Sequence, residues 1–412
     1  MHKSQIFATF AATNRTGMIE RRQNSILLAR LAEPRKTIQV VAGPRQVGKT
    51  TMVKQVLQQC ATPAFMYNAD AVSADDTSWI AERWAEVRSQ MAFNNYGEAV
   101  LVFDEIHKIA NWSEQVKREW DNDTFRDVSI KVVLLGSSRL LLKRGLTESL
   151  AGRFEIISMG HWSFTEMQEA FGWNINQYVY FGGYPGSAAY IENEARWRRY
   201  MREAIVSPAI EKDVLQTSFI YKPALLHQLF HIGCAYSGEL LSYNKMLGML
   251  QDAGNAGTLV SYLQLLSDSK LLVGLQKYAV DQARKYKSVP KLQVYNNALL
   301  SAMSDGMTYE KAFTNPALWG RWVESAIGCY LLGKAEELEC EIYYWRENND
   351  EVDFVLTRAD KILAIEVKSG RRQQNKGMTI FKEKYHPQFS LVVGGEAMPL
   401  EIFFAGDISR LL

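Results

Sequence analysis

The residues with the clearest chemistry lie in one loop, Gly43-Pro44-Arg45-Gln46-Val47-Gly48-Lys49-Thr50. It leaves a β-rich run at 37–42 and opens a segment with helical spacing that runs from 49 to about 59. Glycines at this spacing let backbone N–H groups turn inward around phosphate oxygens. Lys49 is then placed to reach the β- and γ-phosphates of ATP, and Thr50 to offer its hydroxyl to Mg²⁺, with Thr51 completing the binding segment. A second constellation is the apolar run 99–103, which ends in Asp104-Glu105. Asp104 suits the outer contact of the magnesium ion. Glu105 is placed to orient and polarise an attacking water, although a solvated helix cap is the bland alternative.

Two further positions belong to the same chemistry. Ser137 and Ser138 follow the apolar run 130–135, where a hydroxyl can sense the γ-phosphate; small hydroxyl residues also form turns. Arg153, in Glu148-Ser149-Leu150-Ala151-Gly152-Arg153, can reach the nucleotide of a neighbouring subunit in a homo-oligomer and stabilise transition-state charge. Arg139 and Arg144 are rivals for that role, and an ordinary surface arginine is the alternative for each.

A third constellation lies near the C-terminus. Asp353 belongs to Glu351-Val352-Asp353-Phe354, and Glu366 and Lys368 to Glu366-Val367-Lys368. Alternate residues of a strand share a face, so Glu366 and Lys368 point the same way and Asp353 can meet them across a hairpin. Two carboxylates can hold a second Mg²⁺ or a Mn²⁺ that activates water against a phosphodiester, with Glu324 as a further ligand. Lys368 can position that water or stabilise developing charge. The alternative is a surface hairpin with ordinary ion pairs. Basic residues at Arg371, Arg372, Lys376, Lys382 and Lys384, and at Arg284, Lys285, Lys287 and Lys291, can hold nucleic-acid phosphates or simply line solvated faces.

The elements that must position these residues fall into a recognisable order. Strand-like runs at 37–42, 64–68, 99–103 and 130–135 alternate with helical patterns at 20–32, 49–59, 78–91 and 111–120. That alternation predicts an α/β fold with a parallel sheet covered on both faces. From Trp162 onward helical patterns take over. Phe181-Gly182-Gly183-Tyr184-Pro185-Gly186 is a breaker cluster, followed by a long charged helix over 195–215. Residues 224–278 read as three helices and a strand at 270–278, the pattern of a winged helix-turn-helix. The helix in its recognition position, 255–266, carries no Arg or Lys; Asn255, Ser261 and Gln264 are its candidate base readers. A last unit holds an apolar helix at 322–333 and five β-like runs, at 341–346, 352–356, 361–368, 390–393 and 402–404. The expected domains are an ATPase core at 1–160, a helical lid or linker at 161–222, a winged-helix-like unit at 223–300 and a nuclease-like unit at 301–412.

The sequence resembles the AAA-type (AAA+) P-loop ATPases of bacteria and archaea that carry a C-terminal domain with a restriction-nuclease-like fold. The resemblance rests on VVAGPRQVGKTT, VLVFDEIHKI, VVLLGSSRL, ESLAGR, YFGGYPG, EVDFVL and AIEVKSG, and covers nearly the whole chain. It implies an AAA core, a small helical or winged-helix region, and a C-terminal α/β domain similar to the PD-(D/E)XK nucleases. In that pattern only Asp353 maps cleanly, because Asn349-Asp350-Glu351 stands where a Pro-Asp pair is expected.

Bulk properties narrow the choice. A chain of 412 residues exceeds one ordinary core. A formal net charge of +2 gives no whole-surface attraction to nucleic acid, and leaves room for a local basic patch. Cys60, Cys234, Cys329 and Cys340 show no metal-ligand spacing and read as free thiols of a reducing compartment. No run is apolar enough to cross a bilayer, so a cytoplasmic location and no membrane partner are expected. Two functions follow: an ATP-driven protein whose C-terminal domain engages or cuts DNA, or a switch ATPase whose C-terminal domain is an inactive interaction module. A transporter-like or small-molecule kinase role leaves the C-terminal motif unexplained.

Overall fold

The computed structural model describes residues 19–136, 146, 149–215, 220–251, 254–281, 288–368 and 376–412. Its first layer is a five-stranded, fully parallel sheet of β1 (Ile38–Ala42), β2 (Ala64–Asn68), β3 (Ala99–Asp104), β4 (Ile130–Gly136) and β5 (Phe154–Ser158), in the order β2-β3-β4-β1-β5. The central strands β1, β3 and β4 are buried along their whole length, as strands covered on both faces must be.

Period-two alternation divides their side chains between two cores. Ile38, Val40, Leu101, Phe103, Val132 and Leu134 face one side, where Ile80, Trp84 and Val87 of the helix Trp79–Asn94 and Trp112 and Val116 of the helix Trp112–Phe125 meet them. Val41, Val100, Val102, Val133 and Leu135 face the other, against Leu27 and Leu31 of the helix Arg22–Ala32 and Met52, Val53 and Val56 of the helix Lys49–Gln59. The strand β5 has no counterpart among the sequence-predicted strands. Its burial pattern is mostly open, so it lacks the apolar run that marks its neighbours.

The remainder is built on a large core whose buried residues run from Phe164 to Leu412, and on a smaller one of Tyr343, Trp345, Val352, Val355, Ala364, Met378 and Phe381. It contains the short helices Phe164–Phe171 and Ile175–Phe181, each opened by a capping box. The long charged helix expected over 195–215 begins as the α-helix Glu194–Tyr200 and then winds as π-helix over Met201–Val206 and Ala209–Leu215. Three helices, Pro223–Ala235, Tyr243–Met249 and Ala256–Asp268, precede an antiparallel hairpin of β6 (Leu272–Leu275) and β7 (Lys291–Val294).

The last unit packs the helix Pro316–Glu337 against a mixed sheet of β8 (Glu341–Glu347), β9 (Asp350–Arg358), β10 (Lys361–Val367) and β11 (Phe389–Val393). The order is β11-β10-β9-β8, with only β10 and β11 parallel and the helix Lys376–Tyr385 between them in sequence. One expected strand is corrected. Residues 402–404 lie in a helix, Leu400–Ala405, where Phe403 and Phe404 are buried and Ile402 and Glu401 are exposed. A three-residue apolar run cannot distinguish a helix face from a strand.

Candidate nucleotide site and C-terminal carboxylate cluster

The loop after β1 folds as its residue types require. Gly48 stands at the N-cap of the helix Lys49–Gln59 with φ 91°, a left-handed conformation that costs an L side chain about 1–2 kcal/mol. Nothing crowds its missing Cβ, so the backbone angle alone demands glycine. Lys49 is buried, and its ammonium donates to the carbonyls of Gly43 at 2.9 Å and Pro44 at 2.7 Å. Burial pushes its pKa down from the ordinary 10.5 to about 8, and the carboxylates of Glu105, Asp213 and Asp104 only partly oppose that. An ammonium held by two neutral carbonyls in a desolvated loop is a charge that a phosphate would complement.

Thr50 Oγ1 donates to Asp104 Oδ2 at 2.8 Å. Asp104 ends β3, is buried, and has its pKa raised chiefly by that burial. The hydroxyl and the carboxylate face one another as hard oxygen ligands of one magnesium ion would. These two residues therefore fit Mg²⁺. Glu105 sits just beyond, in a left-handed conformation with φ 54° that turns the chain sharply at the strand end. Its Oε2 lies 3.5 Å from Nε2 of His107. His107 is desolvated, with its pKa pushed down to about 4, so the ring is neutral at ordinary pH.

Several contacts at this loop have no sequence signal. Arg45 makes a bidentate pair with Asp213, Nε to Oδ2 at 2.8 Å and Nη2 to Oδ1 at 2.7 Å. Asp213 is buried and belongs to the π-helical turn Ala209–Leu215. The carbonyl of Val47 accepts from Arg21 at 2.8 Å and from the Trp162 indole at 3.0 Å. Arg21 also pairs with Glu166 at 2.6 Å. The loop is thus gripped by residues 26 to 168 positions away in sequence. Gln46 has φ 64°, and its side-chain oxygen approaches Gly186 of the breaker cluster.

A strand–loop–helix with Lys49 turned into the loop, and a neighbouring strand ending in a buried aspartate that meets Thr50, decides the matter. Residues 35–168 form a P-loop ATPase domain of the AAA type. That stretch matches the family described as AAA domain. Residues 172–310 match Domain of unknown function (DUF8612), and residues 319–408 match Domain of unknown function (DUF4143). Uncharacterized proteins of Mycobacterium tuberculosis (Rv2008c) and Mycobacterium bovis (Mb2031c) are each 23% identical over 357 residues, covering 85% of this chain and 74% of theirs. Among solved structures, the Walker-type ATPase PABY2304 of Pyrococcus abyssi is similar over 71% of this chain and 97% of its own, at 14% identity and TM-score 0.49. The Thermotoga maritima RuvB Holliday junction branch migration motor is similar over 64% of this chain and 92% of its own, at 16% identity and TM-score 0.30.

The other expected ATPase residues fall elsewhere. Ser137, with Ser138, Arg139 and Arg144, lies outside the described residues. Arg153 precedes β5, and its carbonyl accepts from the N–H of Ile38 at the start of β1. The nucleotide loop of the ATPase domain leaves the opposite end of β1, roughly 13 Å along the strand at about 3.3 Å per residue. Arg153 therefore stands away from its own chain's site, paired with Asp121 at 2.9 Å.

At the C-terminus, Asp353 on β9 and Glu366 on β10 are both buried, and antiparallel pairing of Phe354 with Ile365 puts them side by side. Asp353 Oδ2 accepts from the N–H of Val367 at 2.7 Å, and Lys368 donates to Glu366 Oε1 at 2.6 Å. Glu324, on the helix Pro316–Glu337, joins them, with its pKa raised chiefly by burial. A residue from another element enters the space between two of the expected ligands. Lys291 of β7 projects its ammonium to within 2.5 Å of Glu324 Oε1 and 3.8 Å of Asp353 Oδ1, and donates to the Asp353 carbonyl at 3.2 Å. Among the described residues, no group of three or more His, Cys, Asp or Glu is arranged to hold a metal ion. Lys291 belongs to the basic run read as a phosphate contact; burial turns it inward instead. Of that run, Arg284, Lys285 and Lys287 lie outside the described residues, as do Arg371 and Arg372.

The candidate base readers are also engaged within the chain. Asn255 caps its helix by accepting from the N–H of Thr258, Ser261 donates to the Gly257 carbonyl, and Gln264 donates to Asp268. Among the described residues no helix is long and apolar enough to cross a membrane.

Proposed function

We propose that the protein binds ATP with Mg²⁺ and hydrolyses it, and that occupancy of the site is passed to the rest of the chain through the Arg45–Asp213 pair. The carrying observation is the hydrogen bond of Thr50 to Asp104 beside Glu105, made by the residue next to Lys49, whose ammonium turns back into the loop. Lys49 and the backbone of 43–51 would hold the phosphates, Thr50 and Asp104 the ion, and Glu105 the attacking water. The ion would supply charge neutralisation at the phosphates. Arg153 would act only on a neighbouring subunit's nucleotide, which ties that role to a homo-oligomer.

A second reading adds DNA as the partner, through a winged-helix-like unit and a nuclease-like fold at the C-terminus. A cavity of about 900 Å³ that carries Lys245, Lys277 and Arg346 supports it, although Asp281, Leu240, Val289 and Tyr344 line the same space. An ATPase assay with and without several DNA forms tests both readings, with Glu105→Gln as the control. Stimulation by one form, with DNA affinity falling steeply as salt rises, supports the DNA reading. ATP turnover indifferent to DNA leaves the switch, and no nucleotide binding at all sinks both.

A further inference from the structure

The carboxylates of buried Asp353 and partly exposed Glu324 both approach one group, the buried Lys291 Nζ. Lys291 comes from neither of their elements. It starts β7, a strand of the two-stranded sheet that lies outside the sheet β8–β11. Its N–H donors also reach the main-chain oxygen of Asp353, and its ammonium lies 4.6 Å from the ring centroid of Phe354. The neighbouring Glu366 has its own ammonium in Lys368.

We propose that Lys291 is the resident cation of this cluster, so that the Glu324–Lys291–Asp353 arrangement is a metal-independent lock fastening the hairpin to the C-terminal sheet rather than a divalent-metal centre. A hard divalent ion would need the same oxygens at about 2.0–2.6 Å, in space the ammonium fills. To enter, it would have to expel a buried ammonium from its partners or share the space with a like charge. The lock also explains why a lysine can be buried: it meets the buried carboxylate of Asp353, a main-chain carbonyl and the partly exposed carboxylate of Glu324. The C-terminal unit then contributes shape and surface, and any phosphodiester chemistry through Asp353 and Glu324 is closed while Lys291 stays in place. This inference is independent of the nucleotide site.

The test is Mn²⁺ binding by the full chain without nucleotide, read from the electron paramagnetic resonance signal of free Mn²⁺. Wild type and Glu324→Gln should bind Mn²⁺ equally, because neither presents the cluster to the ion. Lys291→Met should gain a site at least about tenfold tighter than any in wild type, since nothing then competes for the two carboxylates. Lys291→Met/Glu324→Gln should lose that gain. The proposal is overturned if Glu324→Gln removes a Mn²⁺ ion from the wild-type protein, or if folded Lys291→Met gains none. The first comparison uses no Lys291 variant, so a failure of Lys291→Met to fold leaves it decisive.

Discussion

The nucleotide site makes its strongest statements through single side chains. Glu105 takes no part in the loop that would hold phosphate, so Glu105→Gln is expected to leave ATP affinity within a few-fold. Turnover should fall by about 10²–10⁴, the range of a lost general base. Binding by fluorescent nucleotide titration and turnover by phosphate release separate the two; equal losses in both would remove Glu105 from the water-activating role. Lys49 carries a pH signature. Its pKa of about 8 in the folded, nucleotide-free protein lies below the ordinary 10.5 because burial disfavours the ammonium. Between those values the unfolded chain binds more protons, so stability from this group rises with pH over that window and is lower below about 8. A phosphate ligand should restore the ammonium. ATP binding at pH 8.5–9 is therefore expected to take up protons, measured by calorimetry in buffers of different ionisation heat, and Lys49→Met should abolish the uptake. Uptake unchanged in that variant would move the titrating group elsewhere.

Elements differed in how far they could be read from sequence, and the reason is locality. Strands β1, β3 and β4 carry unbroken apolar runs, and the helix after the loop starts where Gly48 and Lys49 require. Thr50 and Asp104 could be paired by their motifs, but the strand order β2-β3-β4-β1-β5 that brings them together does not follow from the alternating pattern. Asp213, Trp162 and Arg21 were illegible because each reaches the loop by tertiary packing, Asp213 from within a π-helical turn. Lys291 was legible as basic but not as buried. The breaker cluster is a case where sequence marked the place and structure supplies the cause. Gly182 has φ +67°, and a Cβ there would lie 2.1 Å from Asn296 Oδ1 and 2.5 Å from the backbone nitrogen of Ala298. Gly182→Ala is expected to destabilise by roughly 2–5 kcal/mol, combining left-handed strain with overpacking at a backbone contact. A lower denaturant midpoint at unchanged slope would show it. A loss under about 0.5 kcal/mol would mean that the seam between this turn and the helix Asn297–Met303 yields easily.

At the scale of the whole molecule, two bodies of core meet at the phosphate loop. One is the doubly covered parallel sheet; the other is built on the large core whose buried residues run from Phe164 to Leu412. Their joint includes the Trp162 indole on Val47 and the Arg45–Asp213 pair. Asp213 is the member most exposed to loss. It is buried, bidentate to a guanidinium, and close enough to Lys49 and His107 to favour the protonated form of each. Asp213→Asn keeps the shape and removes the charge, leaving Arg45 without its carboxylate. About 1–3 kcal/mol of stability is expected to go with it. The sharper outcome concerns communication. In the wild-type protein a ligand that binds the ATPase domain should raise the melting temperature of both bodies, because Arg45 couples the loop to Asp213. In Asp213→Asn the nucleotide should still stabilise the sheet domain while the body beginning at Phe164 melts independently of it. Scanning calorimetry with and without a non-hydrolysable ATP analogue reads this as one nucleotide-sensitive transition resolving into two, only the first of which moves. If the two bodies shift together in the variant as in the wild type, the remaining grip of Arg21 and Trp162 on Val47 carries the coupling, and Asp213 serves stability alone.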